Sequence, residues 1–295
     1  MVGGSNPLCP AKIIKMKINK YPDGSSYVTT EHSGEEIITW KLNSYEDLWH
    51  LNQFVDAYNN KYNLKPLIII PNLIDAQADR RFADDQSSGL KLVCKFLNGM
   101  NANFKIFHPH NAEVVEALMD NVEIINNSEF IAKVLYKLGH YDYVNKMPRL
   151  NSKNTILMSS DAGGFKPLMK LCDQLDWQGE VHSCSKSRSY YGKKSNIIQK
   201  IGKKDFLGKD ILIVDDISVY GGTFKGLAKL LKERNCGKLY LAVSHMTVQN
   251  LGVDPVTNYF DKVFTTNSKF DEYYHMYDDI SIGDQPGNLE IIKQF

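Results

Sequence analysis

The chain has 295 residues, 43% of them hydrophobic, and 35 Lys+Arg against 34 Asp+Glu leave a net charge of +1. That length supports a large core, most simply as two ordinary domains. The balanced charge excludes a global field that would draw the chain to nucleic acid or to a membrane surface, so any anion site is local. Five cysteines, Cys9, Cys94, Cys172, Cys184 and Cys236, lack metal-type pairing, and a chain this long needs no disulfide framework, which fits a reducing cytoplasm. No apolar run approaches the length of a membrane span, and the opening MVGGSN lacks the basic and apolar pattern of an export signal.

Ile13 to Ile18 alternates apolar and basic residues, Ser25 to Thr30 follows the turn YPDG, and Glu36 to Leu42 alternates again, a pattern expected of an antiparallel edge. Ser44 is a good N-cap for a helix that places Leu48, Leu51, Phe54, Val55 and Tyr58 at helical spacing. A buried strand, PLIII, follows from Pro66 to Ile70. Leu90 to Leu97 then predicts a helix, Phe104 to Phe107 a strand and Glu113 to Met119 a helix. Such alternation implies parallel strands joined by crossover helices. The polar, proline-bearing passage YVNKMPRLNSKNT sets a domain boundary near Met147, giving domains 1–147 and 148–295. Beyond it, Thr155 to Met158, Glu180 to Cys184, Ile211 to Val214, Leu239 to Ser244 and Lys262 to Thr265 are predicted strands. Two successive α/β halves are compatible with a diverged duplication.

Five segments carry candidate chemistry. ILIVDDISVYGGT, Ile211 to Thr223, is a buried strand followed by two acids and a Gly-Gly-Thr turn before a helix. Ligands of open α/β sheets bind beyond the carboxyl ends of strands, where glycines admit a phosphate to the backbone and a helix start offers free N–H groups. Asp215 and Asp216 suit sugar hydroxyls or a metal, and the whole segment suggests a sugar phosphate; the bland alternative is a solvated Asp-Asp turn with Thr223 as an ordinary N-cap. ILMSSDAGG repeats the design, with Asp161 either a ligand for magnesium, which prefers oxygen, or an N-capping aspartate. In FHPHNAE, His110 is a nucleotide or metal contact or a satisfied turn histidine. The basic, serine-rich stretch from Cys184 to Lys204 is either a solvated loop or a flap that lays Lys186 or Arg188 over phosphates and excludes water. In AQADRRFADDQSSG, Arg80 and Arg81 bind nucleotide phosphate or pair with Asp84 and Asp85 at the surface.

Taken together and in order, these segments resemble the ribose-phosphate diphosphokinase (PRPP synthetase) family through nearly the whole chain. ILIVDDISVYGGT is similar to its ribose-5-phosphate loop, SSDAGG to its P-D-x-G-G segment, and KSR to the K-x-R of its catalytic flexible loop. FHPHNAE is similar to D-L-H-x-x-Q, DRR with SGLKLVCKFLN to the nucleotide segment and following helix, and VFTTNS to the last strand and its V-T-N-T turn. The resemblance implies two phosphoribosyltransferase-like (type I) α/β domains, pseudo-duplicated, with parallel sheets flanked by helices. It also implies transfer of diphosphate from ATP to ribose 5-phosphate, Mg2+ as cofactor, and a homo-oligomer, a hexamer or its dimer unit.

Residue by residue, the resemblance implies catalysis by Lys186 and Arg188. Ribose 5-phosphate falls to Asp215, Asp216, Gly221, Gly222 and Thr223, ATP to Tyr21, Asp23, Asp79, Arg80 and His110, and the metal to His110 and Asp161. The chain departs from the family at Gln77 and Ala78, where the family has Arg-Gln, and at Ser25, where its adenine-binding turn has an acid. It departs again at Val219 and Tyr220, where the sugar-phosphate loop carries an acid and a hydroxyl. Two other readings share parts of this pattern: a type I phosphoribosyltransferase that uses PRPP through the same loop, and a non-catalytic partner of an active synthetase.

Overall fold

The computed structural model describes residues 16–30, 37–191, 194–269 and 287–295. The chain divides into two compact units, residues 1–126 with 294–295, and residues 127–293. The division therefore falls ahead of Asn127, not near Met147.

In the first unit, β1 (Met16–Lys20) and β2 (Ser26–Thr30) form an antiparallel hairpin around the YPDG turn. Four further strands, β3 (Ile37–Thr39), β4 (Leu67–Ile70), β5 (Asn103–Phe107) and β6 (Val122–Ile125), build a parallel sheet in chain order. The alternating stretch near Glu36 thus supplies the parallel edge strand β3 instead of an antiparallel one, and Glu36 itself lies outside the described residues. Helix α1 (Tyr45–Tyr62) starts on a capping box: Ser44 Oγ accepts from Asp47 N at 3.1 Å, and Asp47 Oδ2 accepts from Ser44 N at 2.8 Å. It ends where Asn63 takes a left-handed conformation, φ 53. With α2 (Gly89–Asn98) and α3 (Ala112–Leu118), it covers the sheet through Leu51, Phe54, Tyr58, Leu90, Leu97 and Val115, all buried.

The second unit opens with α4 (Ser128–Lys137) and a small antiparallel pair, β7 (Tyr141–Asp142) and β8 (Met147–Pro148), the last of which lies within the polar passage expected to separate the domains. Its main sheet is parallel: β9 (Thr155–Ser159), β10 (Val181–Ser183), β13 (Asp210–Ser218), β14 (Leu239–Met246), β15 (Lys262–Thr266) and β16 (Leu289–Ile292) stand in the order β10-β9-β13-β14-β15-β16. β15, expected to be last, is followed by β16, which pairs parallel with it. Between β10 and β13 the serine-rich stretch is a two-stranded hairpin, β11 (Ser185–Tyr191) and β12 (Lys194–Lys200), where sequence suggested a loop or flap. β9 is buried along its whole length and β14 likewise, as expected of parallel strands covered on both faces. Alternation along β13 sends Ile211 and Ile213 into the layer of α6 (Gly222–Lys232), whereas Leu212 and Val214 face α4 and α5 (Phe165–Gln174).

That second layer explains the boundary. Phe130, Ile131, Val134 and Leu135 of α4 are buried against Leu157, Leu212, Ala242 and Phe264 of the sheet. Glu290 on β16 also pairs with Lys137 of α4 and with Lys262, each at 2.5 Å. Burial of each large apolar side chain contributes roughly 1.5–3 kcal/mol, so α4 cannot be detached cheaply. A fragment of residues 127–293 is expected to unfold in one cooperative thermal transition. A fragment beginning at residue 148 lacks α4 and is expected to show none; calorimetry of the two fragments decides, and equal cooperativity would reject the boundary.

Candidate functional site

The strand order of the second unit reverses between β9 and β13, because the chain goes from β9 to β10 on one side and then crosses to β13 on the other. Such reversals open a crevice beyond the strands' carboxyl ends, the usual ligand position in open α/β sheets. Both acidic segments noted in the sequence arrive there. β13 runs on to Ser218, so Asp215 and Asp216 lie within the strand and not after it. Ser160 Oγ, one residue past β9, donates to Asp215 Oδ2, and Asp216 N donates to Asp215 Oδ1 at 2.9 Å. Burial, reinforced by the adjacent Asp216 carboxylate, holds the Asp215 carboxyl well above the usual carboxylate range.

Asp161 sits in the turn between β9 and α5. Its Oδ1 accepts from Gly164 N at 3.1 Å, and Ser159 Oγ donates to its carbonyl at 2.8 Å. Asp161 is therefore not the N-cap of α5, a position held by Gly164 without a side-chain cap; its half-buried carboxylate closes the turn ahead of the helix with one oxygen.

The loop between β13 and α6 is shaped from behind by a residue that sequence gave no reason to single out. Asn250, fully buried, donates from Nδ2 to Ser218 O at 2.7 Å and to Val219 O at 3.0 Å, while Thr247 N donates to Ser218 O at 3.0 Å. Gly221 then turns the chain with φ 72, and a Cβ there would lie 3.0 Å from Asn250 Oδ1 and Val256. Conformation and space both require glycine. α6 begins at Gly222 with Gly221 at its N-cap and no side-chain cap. Its first N–H groups and positive dipole end therefore face the loop. Thr223 is in the first turn and is not the cap. Val219 is half-buried, and Tyr220 is 70% exposed.

Thr223 also receives the hairpin. Lys186 Nζ on β11 donates to Thr223 Oγ1 at 2.9 Å, and Gln199 Nε2 on β12 donates to Thr223 O at 3.0 Å. The structure thus brings together Lys186 and the Gly-Gly-Thr turn, which lie far apart in sequence. Arg188 stands on β11 opposite Ile197, and its side chain lies outside the described residues. The chain leaving the hairpin is pinned by Arg234 Nη1, which donates to Ile201 O and Lys203 O, each at 2.6 Å. Glu180, before β10, pairs with Lys203 at 2.5 Å, with Lys209, and with His182 at 3.0 Å; hydrogen bonds from Lys203 first and then Lys209 and His182 push its carboxyl down to about 2.

In the first unit, Asn111 caps α3 by accepting from Val114 N at 3.2 Å, and its Nδ2 donates to Asp79 Oδ2 at 3.0 Å. One side chain therefore joins the DRR segment to the turn that carries His110, which is exposed. Arg80 lies 5.3 Å from the ring of Phe82, itself 77% exposed. Asp23 accepts from Ser25 N at 2.9 Å and Ser25 Oγ at 2.7 Å, which lowers its pKa, and Tyr21 packs on Tyr27 with centroids 5.1 Å apart. That turn is tied into its own hairpin. A groove of about 500 Å3 between α1, α2 and the loop after β4 is lined by Tyr45, Asp75, Ala78 and Gln86, among others, but by none of Asp79, Arg80 and His110.

A doubly wound parallel sheet with an acidic pair at its strand-order reversal, an uncapped helix start and a lysine delivered from a hairpin defines an α/β protein with a polar site beyond its strands' carboxyl ends. The chain belongs to the phosphoribosyl transferase domain family, whose pattern matches residues 130–278. It is similar to the ribose-phosphate pyrophosphokinase of Thermococcus kodakarensis, 23% identical over 262 residues that cover 88% of this chain and 87% of that protein. The same enzyme of Chlorobaculum tepidum is 25% identical over 272 residues, covering 90% and 78%. In fold, the chain is similar to phosphoribosylpyrophosphate synthetase from Mycobacterium smegmatis, with a TM-score of 0.68, 15% identity, and coverage of 96% of this chain and 87% of that one. No helix among the described residues is long and apolar enough to cross a membrane.

The raised Asp215 carboxyl has a measurable consequence. A carboxyl whose folded pKa lies above its unfolded value favours the native state at low pH, and that advantage is lost as pH rises through the folded value. Asp215→Asn removes the penalty at neutral pH. The variant is expected to melt above the wild type at pH 7.5, with the gap closing as pH falls from the raised folded value toward the ordinary carboxylate range; coincident melting curves at pH 7.5 would contradict the buried acid.

Proposed function

We propose that the chain is a ribose-phosphate diphosphokinase, transferring diphosphate from ATP to the anomeric hydroxyl of ribose 5-phosphate to give PRPP and AMP. The relatives bearing that name are matched over most of their length, the first unit included. The observation that supports the reading best is the Lys186–Thr223 contact, which puts a cation beside the turn suited to the sugar phosphate.

In this reading, the first-turn N–H groups of α6 and the Thr223 hydroxyl bind the 5-phosphate, and Asp215 and Asp216 accept from the ribose hydroxyls. Main-chain groups and Thr223 carry more of the load because Val219 offers no acid and Tyr220 stands where the family has a small hydroxyl residue. Asp79, Arg80, His110, Tyr21 and Asp23 serve ATP. Attack of the sugar oxygen on the β-phosphorus breaks the bond to the α-phosphate oxygen and releases AMP. Catalysis is then chiefly alignment and neutralisation of charge on the phosphoryl oxygens. Lys186 and Arg188 supply that neutralisation, and no covalent enzyme intermediate is required.

Magnesium is the cofactor we assign. Among the described residues no group of three or more His, Cys, Asp or Glu stands together to cage an ion. That suits Mg2+, which usually takes one or two carboxylates and leaves its other positions to water and substrate phosphates. Asp161, which spends one oxygen on Gly164 N, is the ligand we assign in the second unit and His110 the one in the first, and bound Mg2+ would neutralise phosphate charge. We also place the protein in the cytoplasm as a homo-oligomer, a hexamer or its dimer unit, which light scattering measures.

Purified protein with ATP, ribose 5-phosphate and Mg2+ is expected to release AMP, and EDTA in excess should stop it. Lys186→Ala should lower kcat roughly 10²–10³-fold, the loss typical of one preorganised donor. PRPP consumption with a free base and no AMP release would point instead to a phosphoribosyltransferase, and near-normal turnover of Lys186→Ala would remove that lysine from the chemistry.

A further inference from the structure

The hairpin that carries Lys186 meets α6 at Thr223 through two residues that stand directly opposite each other, Lys186 on β11 and Gln199 on β12. Lys186 takes the hydroxyl of Thr223, and Gln199 takes its main-chain carbonyl. The amide of Gln199 also lies tight against α6: a Cβ on Gly226 would be 2.6 Å from Gln199 Oε1. Gly226 lies inside the helix, where glycine is less favourable than alanine. The space it leaves is what admits the amide.

A lysine ammonium is a point charge on a flexible four-carbon stem and does not by itself fix the strand that bears it. A planar amide held by a carbonyl on one side and a glycine notch on the other does. We infer that Gln199 is a positioning residue: it seats the hairpin on the first turn of α6 and thereby sets where the Lys186 ammonium stands over the phosphate loop, with Gly226 as the notch that receives it. The inference rests on the role proposed above for Lys186.

Gly226→Ala in the full chain evicts the Gln199 amide without altering it, and as a glycine-to-alanine change inside a helix it should leave the melting temperature at or above that of the wild type. Its kcat for AMP release is expected to fall about tenfold or more, with KM for both substrates within about twofold, a loss of the kind that follows misplaced catalytic groups. Gln199→Ala should do the same, and neither change should lower kcat further in a Lys186→Ala background, because both act through that ammonium. Unchanged kcat, losses that multiply with Lys186→Ala, or an effect confined to KM overturns the proposal. If the wild type releases no AMP, the activity reading fails by itself and amide hydrogen exchange decides this one. Gly226→Ala should then speed exchange across Ser185 to Lys200, and protection equal to that of the wild type overturns the inference.

Discussion

The crevice of the second unit is organised around one costly group, the Asp215 carboxylate. An acid withdrawn from water and set beside a second acid is unfavourable unless its oxygens are engaged. Here one oxygen is held by Ser160 from the end of β9 and the other by the amide of Asp216 on β13 itself. The two strands whose following helices depart to opposite faces, α5 to one and α6 to the other, are thereby joined at the point where they diverge. Asp161 and the Gly221–Thr223 turn lie just beyond that joint. Their placement inherits its geometry.

The same economy governs the anion loop. An oxyanion is repelled by carbonyl oxygens that point toward it, and the carbonyls of Ser218 and Val219 are occupied from behind by Asn250 and Thr247. With those acceptors engaged and Gly221 in the left-handed region, two of the loop's carbonyls are already satisfied before the uncapped start of α6. Val219 and Tyr220 then cease to be an anomaly. The main chain of this loop is fixed by a buried asparagine and not by the side chains at those two positions, so Tyr220 can stand exposed without disturbing it.

Local rules made much of this legible. Ser44 and the spacing of Leu51, Phe54 and Tyr58 announce α1, and apolar runs bounded by glycine or acids announce β9 and β13. What escaped depends on burial against distant residues. α4, which no local rule singled out, is secured by Leu157, Leu212 and Phe264 covering Phe130 and Leu135, and β3 takes its parallel sense from β4, not from its own alternation. Ser160 sat inside a quoted motif, but only the reversal of strand order gives it a partner 55 positions away. Asn250 and Gln199 carry no local signal at all. A polar residue in a loop becomes informative only when the backbone it binds is known.

The contact boundary and the family match agree on where the shared domain begins, the one at Asn127 and the other at residue 130. Both include α4, as they should if a domain is the set of elements that bury one another's apolar faces. The Gly221–Thr223 loop, the acid pair and the hairpin all fall inside that matched part. Outside the matched range lies the first unit, where Asn111 ties Asp79 to the His110 turn across 32 positions. A side chain that links two loops at strand ends gives a sheet without any strand-order reversal among its described strands a defined polar corner.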